Sequence, residues 1–394
     1  MNANTRALIA IIVINFVTIA GFGFMFPVFA IYGKAIDANA TEIALSIASF
    51  SLGQLIASPL WGKISDRYGR RNVLVISLLV GAVLTALNVF AVTPWLLIFA
   101  RFICGLASGS FSVAFAVAAD ISNAENRTRV MGMVGAGFSL GFILGPAIGG
   151  FAAGNDPGVD AFARVCIAGA AMMGFGGILT LFILPETRKR HEPSADATPV
   201  AVRSNLTLLR DPALAFPIIL SLITSLALSK MESTFAIFAD DVLHLPPSRI
   251  GLIFAVMGTI GAIVQFAGAG LLAKKLGERG MLMLALCFLT VGMFVVGSST
   301  ALPQAILGMC IIASGFSTVN PALSGLTSLA ASADEQGSAL GVMQSAASFG
   351  RVAGPALAGL IYDFAGPSAP FMLAGVVLAL TLVSSFAVLR ARLA

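Results

Sequence analysis

Charge is what this chain has least of. Only 10% of its 394 residues are Asp, Glu, Lys or Arg, whereas 58% are hydrophobic. Soluble domains average about 25% charged residues. The chain therefore cannot cover a water-facing surface, and most of its outside must face lipid. Histidine is nearly missing: His191 and His244 fall in separate loops, so no metal constellation can form and no cofactor is expected. The four cysteines (104, 166, 287 and 310) lie inside apolar runs without CxxC spacing, which predicts buried free thiols. The net charge of +5 could point to nucleic acid, but the basic residues sit in loops between apolar runs, which is a topology pattern. An intramembrane enzyme would need a catalytic constellation, and no histidine or aspartate pair lies within the runs. A sensor would need a soluble output domain, which the short loops exclude.

What is present is apolar sequence in lengths that suit a bilayer. The runs cover 7–30, 42–63, 72–92, 95–119, 128–153, 162–184, 213–239, 248–273, 281–298, 302–330, 337–361 and 368–389. Each crossing needs about 20 apolar residues, so these twelve runs predict twelve transmembrane helices, numbered here spans 1 to 12. A barrel would show short alternating strands instead. Span 1 is long enough to cross and lacks a small-residue cleavage site, so it is expected to be retained rather than removed as a leader.

The chain also repeats itself. Residues 141–150 read GFILGPAIGG and residues 350–359 read GRVAGPALAG, 209 residues apart. The loop 62–71 is echoed at 270–279, 208 residues on. Two motifs displaced by nearly one distance imply a duplication: an N-terminal half at 1–184, a Pro-containing polar linker at 185–212 and a C-terminal half at 213–394. Duplicated halves in an apolar chain point to a secondary transporter, with its site between the repeats. With the amino terminus inside, 17 Lys and Arg residues fall in inner segments and 3 in outer ones. That bias predicts both termini in the cytoplasm and an even number of spans.

Two motifs have a mechanical reading. The loop after span 2 runs from Gly62 to Arg71, with Gly69 at a tight turn. Asp66 ends one helix, Arg70 begins the next, and Asp120 ends span 4 on the same face. These three charges can form a latch that closes in one state and opens in another. In span 5, Gly137, Gly141, Gly145 and Gly149 recur every four residues and make a groove for a neighbouring helix. Pro146 removes a backbone donor there. Span 11 repeats the pattern with Gly350, Gly354 and Pro355.

The loop 62–71 resembles the GxLxDRxGRR signature of the major facilitator superfamily. Arg101 to Gly109 is similar to that family's RxxxGxxxG motif, and Gly137 to Gly150 to the GxxxGPxxGG motif of its twelve-span drug:proton antiporters. Gly21-Phe22-Gly23 and Pro27-Val28 extend the likeness, which with the repeat covers essentially the whole chain. The resemblance implies an all-helical fold of two six-helix halves in a bacterial inner membrane. It implies export of small, lipophilic compounds in exchange for protons, as multidrug and tetracycline exporters do, by a monomer whose partners are substrate, protons and lipid. An exporter dedicated to a sugar, amino acid or siderophore is the alternative.

Four ionisable residues lie well inside the spans: Arg101, Lys230, Glu232 and Arg351. Intramembrane charge is costly, so each is a functional candidate. Glu232 is the only acid among them and is the expected proton carrier, unless it is fixed in an ion pair with Lys230 or Arg351. Arg351 breaks the repeat, since its counterpart is Phe142. It could bind an anionic cargo, hold Glu232 ionised, or serve helix-end carbonyls. Arg101 matches the family's span 4 arginine, which implies a part in proton coupling; bonding to span 1 carbonyls is the other reading. The acid that tetracycline exporters carry in span 1 is replaced here by Thr18, with Asn15 one turn earlier. Gln54, Gln265, Asn320 and Gln344 could bind substrate or bond between helices. Phe22, Phe24, Phe26, Phe235 and Phe238 could line an adaptable apolar cavity.

Overall fold

The structure, a computed structural model, describes residues 3–122, 127–154, 159–187, 210–331 and 335–391. Much of the expected linker therefore lies outside the described residues. So do the charges counted at Arg188, Lys189, Arg190, Arg203 and Arg392.

Fourteen α-helices and no strand occur among the described residues. They are α1 (Ala3–Gly23), α2 (Phe26–Ala35), α3 (Ala40–Tyr68), α4 (Arg70–Leu87), α5 (Pro94–Ala107), α6 (Ser110–Asp120) and α7 (Arg127–Ala153). They continue as α8 (Val159–Ile183), α9 (Pro212–Asp241), α10 (Pro247–Ile263), α11 (Ala269–Gly297), α12 (Leu302–Ala330), α13 (Gln336–Ala365) and α14 (Ala369–Ala391). Each of the twelve apolar runs is largely helical, and eight helical stretches among the described residues are each long and apolar enough to cross a bilayer. Large apolar side chains stand outward on these and other helices, such as Phe182 and Phe151 at 75% and Phe364 at 88% exposure. Rings so placed belong against acyl chains, and the protein is an all-helical, multi-pass membrane protein.

The described residues form two compact units, one within Met1–Glu192 and His244–Gly258, the other within Pro193–Leu243 and Thr259–Ala394. The sequence repeat reappears as a repeat of packing. In the first unit α1 packs on α7 and α4 on α8; in the second α9 packs on α13 and α11 on α14. The glycine grooves explain the first member of each pair. A Cβ at Gly145 would stand 2.7 Å from the Ala20 carbonyl oxygen, and Gly137, Gly141 and Gly149 press on Ile12, Phe16 and Phe24 of the same helix or its end. Gly350 and Gly354 meet Leu222, Leu226 and Ser229 of α9 in the same way. Helix backbones approach this closely only where no side chain intervenes.

The turn glycines repeat as well. Gly69 has φ +94° and Gly277 has φ +65°, 208 residues apart. Both conformations are hostile to a side chain. Gly277 thereby divides α11 into the end of span 8 and span 9.

Three spans are less regular than the sequence reading assumed. Span 1 breaks at Phe24–Met25, between α1 and α2. Pro27 supplies no N–H for the carbonyl four residues earlier, at Gly23, and its ring would crowd that carbonyl. Span 4 breaks at Ser108–Gly109. The carbonyls released there are taken up: Trp61 Nε1 donates to Leu106 O at 2.7 Å and Ser77 Oγ to Ala107 O at 3.0 Å. Backbone irregularity inside a membrane requires such partners. Span 8 passes through a π-helical turn at Val264–Gly268, which holds Gln265. By contrast α7 and α13 continue as helix through Pro146 and Pro355.

Candidate functional site

In the second unit the candidate site is built on the α9–α13 pair. Ser229 Oγ donates to Gly350 O at 3.0 Å, and Ser221 Oγ to Met343 O at 3.3 Å, which fixes the register of the two helices. Glu232 follows Ser229 by three residues on α9 and is half-buried; Arg351 follows Gly350 on α13. The two charges interact electrostatically but form no ion pair among the described residues. Arg351 Nη2 donates instead to Ser348 Oγ at 3.0 Å. Gln344, Ser348 and Arg351 are spaced along one face of α13, where Gln344 and Arg351 are exposed. Asn320 is also exposed, on α12. Polar side chains in a span avoid lipid and face water or protein. Lys230, two residues from Glu232, is buried and points away from it, as i,i+2 spacing on a helix dictates.

The first unit holds its charge differently. Arg101, on α5, is 2% exposed. Its guanidinium carbon lies 4.6 Å from the Phe50 ring centroid, 5.1 Å from Phe29 and 5.6 Å from Phe22. Its Nη1 donates to the Met25 thioether at 3.3 Å, at the break between α1 and α2, rather than to a span 1 carbonyl. Nε and Nη2 have no hydrogen-bond partner among the described residues. The titratable groups that interact with it are the thiols of Cys104 and Cys166. Cation–π contacts contribute about 0.5–2 kcal/mol each, whereas a buried unpaired ion costs several kcal/mol. Three such contacts sum to an amount comparable with that cost, yet they leave two donors without a hydrogen-bond partner among the described residues.

A third cluster closes one end of the first unit. Arg70 joins Asp66 (Nη1 to Oδ1, 2.6 Å) and Asp120 (Nε to Oδ2, 3.1 Å), and donates to Ser65 Oγ at 2.5 Å. Residues 62–68, read from the sequence as loop, are the last turns of α3, and the chain reverses at Gly69 into α4, which brings Asp66 and Arg70 together. Glu186, which the motif reading overlooked, caps α4 by accepting from the Arg70 N–H at 2.9 Å and the Arg71 N–H at 3.2 Å. Arg71 also donates to the Leu181 carbonyl. A carboxylate at the positive end of α4 was legible only as one acid just beyond span 6.

The remaining candidates are placed as follows. Asn15 is wholly buried and donates to Val134 O on α7 at 3.2 Å; Thr18 donates to Ile14 O of its own helix at 2.8 Å. Gln54 donates to Ser108 Oγ at 3.3 Å, at the span 4 break. Phe22 stacks on Phe50 with centroids 4.6 Å apart, and both rings are part-exposed. Phe24, Phe26, Phe235 and Phe238 are buried. Cys104 and Cys166 are buried as expected, but Cys287 is exposed and Cys310 only partly covered. A thiol is apolar enough to face lipid, so burial was not required of it. Gly137-Phe138-Ser139-Leu140-Gly141 has the glycine spacing of a hydrolase nucleophile motif, yet it lies within the continuous helix α7, without the strand-to-helix turn that motif needs.

Repeated helical units with charges inside the spans and small-residue seams define a secondary transporter. The model of the Major Facilitator Superfamily matches residues 11–351 and 234–393, and the chain belongs to that family. It is 29% identical over 381 residues to Multidrug resistance protein 2 of Bacillus subtilis (strain 168), covering 95% of this chain and 94% of that one. It is 30% identical over 365 residues to the class E tetracycline resistance protein of Escherichia coli, covering 91% and 88%. Among solved structures, the nucleoside transporter NupG superposes with a TM-score of 0.76 at 14% identity, over 98% of this chain and 98% of its own. That likeness speaks for the fold alone.

Proposed function

We propose that the protein exports small, lipophilic compounds across a bacterial inner membrane in exchange for protons, with both termini in the cytoplasm. The relatives of near-equal length are named for multidrug and tetracycline resistance. The observation that carries the coupling is Glu232: a half-buried carboxyl within span 7, two turns from its end, with Arg351 interacting but no ion pair between them among the described residues. Such an acid can take a proton from one side and release it to the other as its surroundings change. The influence of Arg351 on it depends on what lies between them, so cargo or water entering there changes its proton affinity. Asp66, Arg70 and Asp120 serve as the latch, and Glu186 holds the helix on which Arg70 sits. The glycine seams at Gly141, Gly145, Gly149 and Gly354 give α1 and α9 smooth surfaces to rock against. Inward proton movement supplies the drive, worth about 2.3 kcal/mol per charge for each 100 mV. The test is flux of a lipophilic cation into proteoliposomes under an imposed pH gradient. Glu232→Gln should lose the gradient-driven component while keeping exchange of labelled for unlabelled cargo. Gradient-driven flux that survives the substitution removes Glu232 from the mechanism.

A further inference from the structure

The geometry points to a binding site in the first unit for the carboxylate of an aromatic, singly charged cargo, held by the free edge of Arg101. The inference deepens the export reading and rests on it for its meaning as a cargo site. Of the three guanidinium nitrogens, Nη1 is engaged by Met25, while Nε and Nη2 have no hydrogen-bond partner among the described residues. Those two nitrogens share one edge of the planar group. Their N–H bonds run parallel, and that fork matches the two oxygens of a carboxylate. Arg101 is 2% exposed, so solvent on the protein surface does not satisfy these donors. Among the described residues no acid interacts with the group; only two thiols do.

The surroundings narrow the ligand further. Three phenylalanine rings and a thioether enclose the charge, and among the described residues no second cation accompanies it. A multiply charged phosphate would meet too little positive charge there. A monoanion with a flat apolar body would be matched at both ends. Phe22 and Phe50, stacked at 4.6 Å with planes 29° apart, touch the guanidinium yet remain part-exposed, so the same two rings reach from the charge to accessible surface. An arene slid against this pair places its carboxylate at the fork. Offset stacking of that kind is the favoured arrangement of aromatic groups. Arg351 cannot serve the same purpose alone, because it already answers to Glu232.

Equilibrium dialysis of the purified full chain in detergent, without any gradient, tests the site. The probes are 2-naphthoate, its uncharged isostere 2-naphthamide, and acetate. 2-Naphthoate should bind the parent at least about tenfold more tightly than either of the others. Arg101→Lys, which keeps the charge and loses the fork, should weaken 2-naphthoate about tenfold, and Phe50→Leu should weaken it without changing acetate. Equal binding of acid and amide by the parent overturns the proposal, as does acetate binding as tightly as 2-naphthoate, which would mark a simple anion site. Undiminished binding by a folded Arg101→Lys overturns it too. Pumping of neutral cargo with no preference for 2-naphthoate would leave the export reading standing and the carboxylate site refuted. Tight 2-naphthoate binding with no pH-driven flux of any cargo would do the reverse.

Discussion

Arg101 in the first unit and Arg351 in the second both interrupt the internal repeat: a shift of 209 residues pairs Arg101 with Cys310 and Phe142 with Arg351. Neither charge is demanded by the shared scaffold, and their surroundings are opposite. Arg101 is enclosed by rings and a thioether, with one edge unused. Arg351 stands on an exposed polar face with an acid nearby. No acid interacts with the first arginine among the described residues, so in the proposed reading it is a charge awaiting an anion. A carboxyl can titrate, so the second belongs to a pair whose net charge changes. On the proposed reading, one duplicated fold carries a fixed element in one unit and a switchable one in the other.

The scaffold common to both units gives the largest expected effects. Gly145→Leu would drive a side chain into the α1 backbone, and Gly354→Leu into that of α9, where the Leu226 carbonyl oxygen lies 2.8 Å from an added Cβ. Overpacking of this kind costs typically about 1–3 kcal/mol in stability. Its effect on motion should be larger, with cargo exchange in proteoliposomes falling on the order of a hundredfold in both variants. If either folded variant exchanges cargo at the parent rate, the seams are static packing, and the idea of a common moving scaffold is lost.

Substitution of the arginines sharpens the contrast itself. Arg101→Met replaces a caged, incompletely satisfied charge with an apolar chain of similar reach. Exchanging buried ionic groups for well-packed apolar ones is often neutral or stabilising by about 1–4 kcal/mol. Thermal unfolding in detergent should therefore stay level or rise, while 2-naphthoate binding disappears. Arg351→Gln should instead change coupling. A double-mutant cycle with Glu232→Gln, read on gradient-driven flux, should show an interaction of about 0.5–2 kcal/mol. A strongly destabilised Arg101→Met, or additive effects at Arg351 and Glu232, would erase the distinction between fixed and switchable charge.

Much of this molecule could be read before its structure. Twelve apolar runs became helix because lipid leaves a backbone no other partner. The glycine period of four became a seam because only hydrogen fits there. Charge pairing at the turn followed from placing Asp66 at the end of one helix and Arg70 at the start of the next, on either side of Gly69. The breaks in spans 1 and 4 were less legible. Pro27 announces the first, but the second depends on Trp61 and Ser77, donors from other helices that no local pattern reveals. The aromatic cage was likewise hidden: Phe22, Phe29 and Phe50 come from α1, α2 and α3 and carry no spacing relation to Arg101. Local periodicity predicts elements, whereas a site made of four helices emerges only when they pack.

The loops 62–71 and 270–279 extend the comparison to smaller effects. A 208-residue shift sets Asp66 against Lys274 and Arg70 against Glu278, so the signs are exchanged. An ion pair joins only the first couple among the described residues. Asp120→Asn should lower stability by about 1–2 kcal/mol, because the Arg70–Asp120 bond is part-buried and charge-assisted. It should shift the accessibility of cysteines placed on the cytoplasmic side, measured by labelling rate. Labelling identical to the parent would mean that the cluster is a topology signal and no latch.

The subtlest test compares the two turn glycines. Gly69 and Gly277 share positive φ, and an alanine at either position pays backbone strain of about 1–3 kcal/mol. The difference lies in what surrounds them. Nothing stands within 4 Å of an added Cβ at Gly277, whereas at Gly69 it would meet the Glu186 carboxylate that caps α4. Gly69→Ala should therefore lower stability more than Gly277→Ala, by an amount equal to the lost cap, about 0.5–2 kcal/mol, read from unfolding in detergent. In a Glu186→Ala background that excess should vanish, because the cap is already gone and only backbone strain remains. An excess that persists without Glu186 would mean that the two loops differ in their backbones, and that the carboxylate has no part in holding Arg70 at the rim.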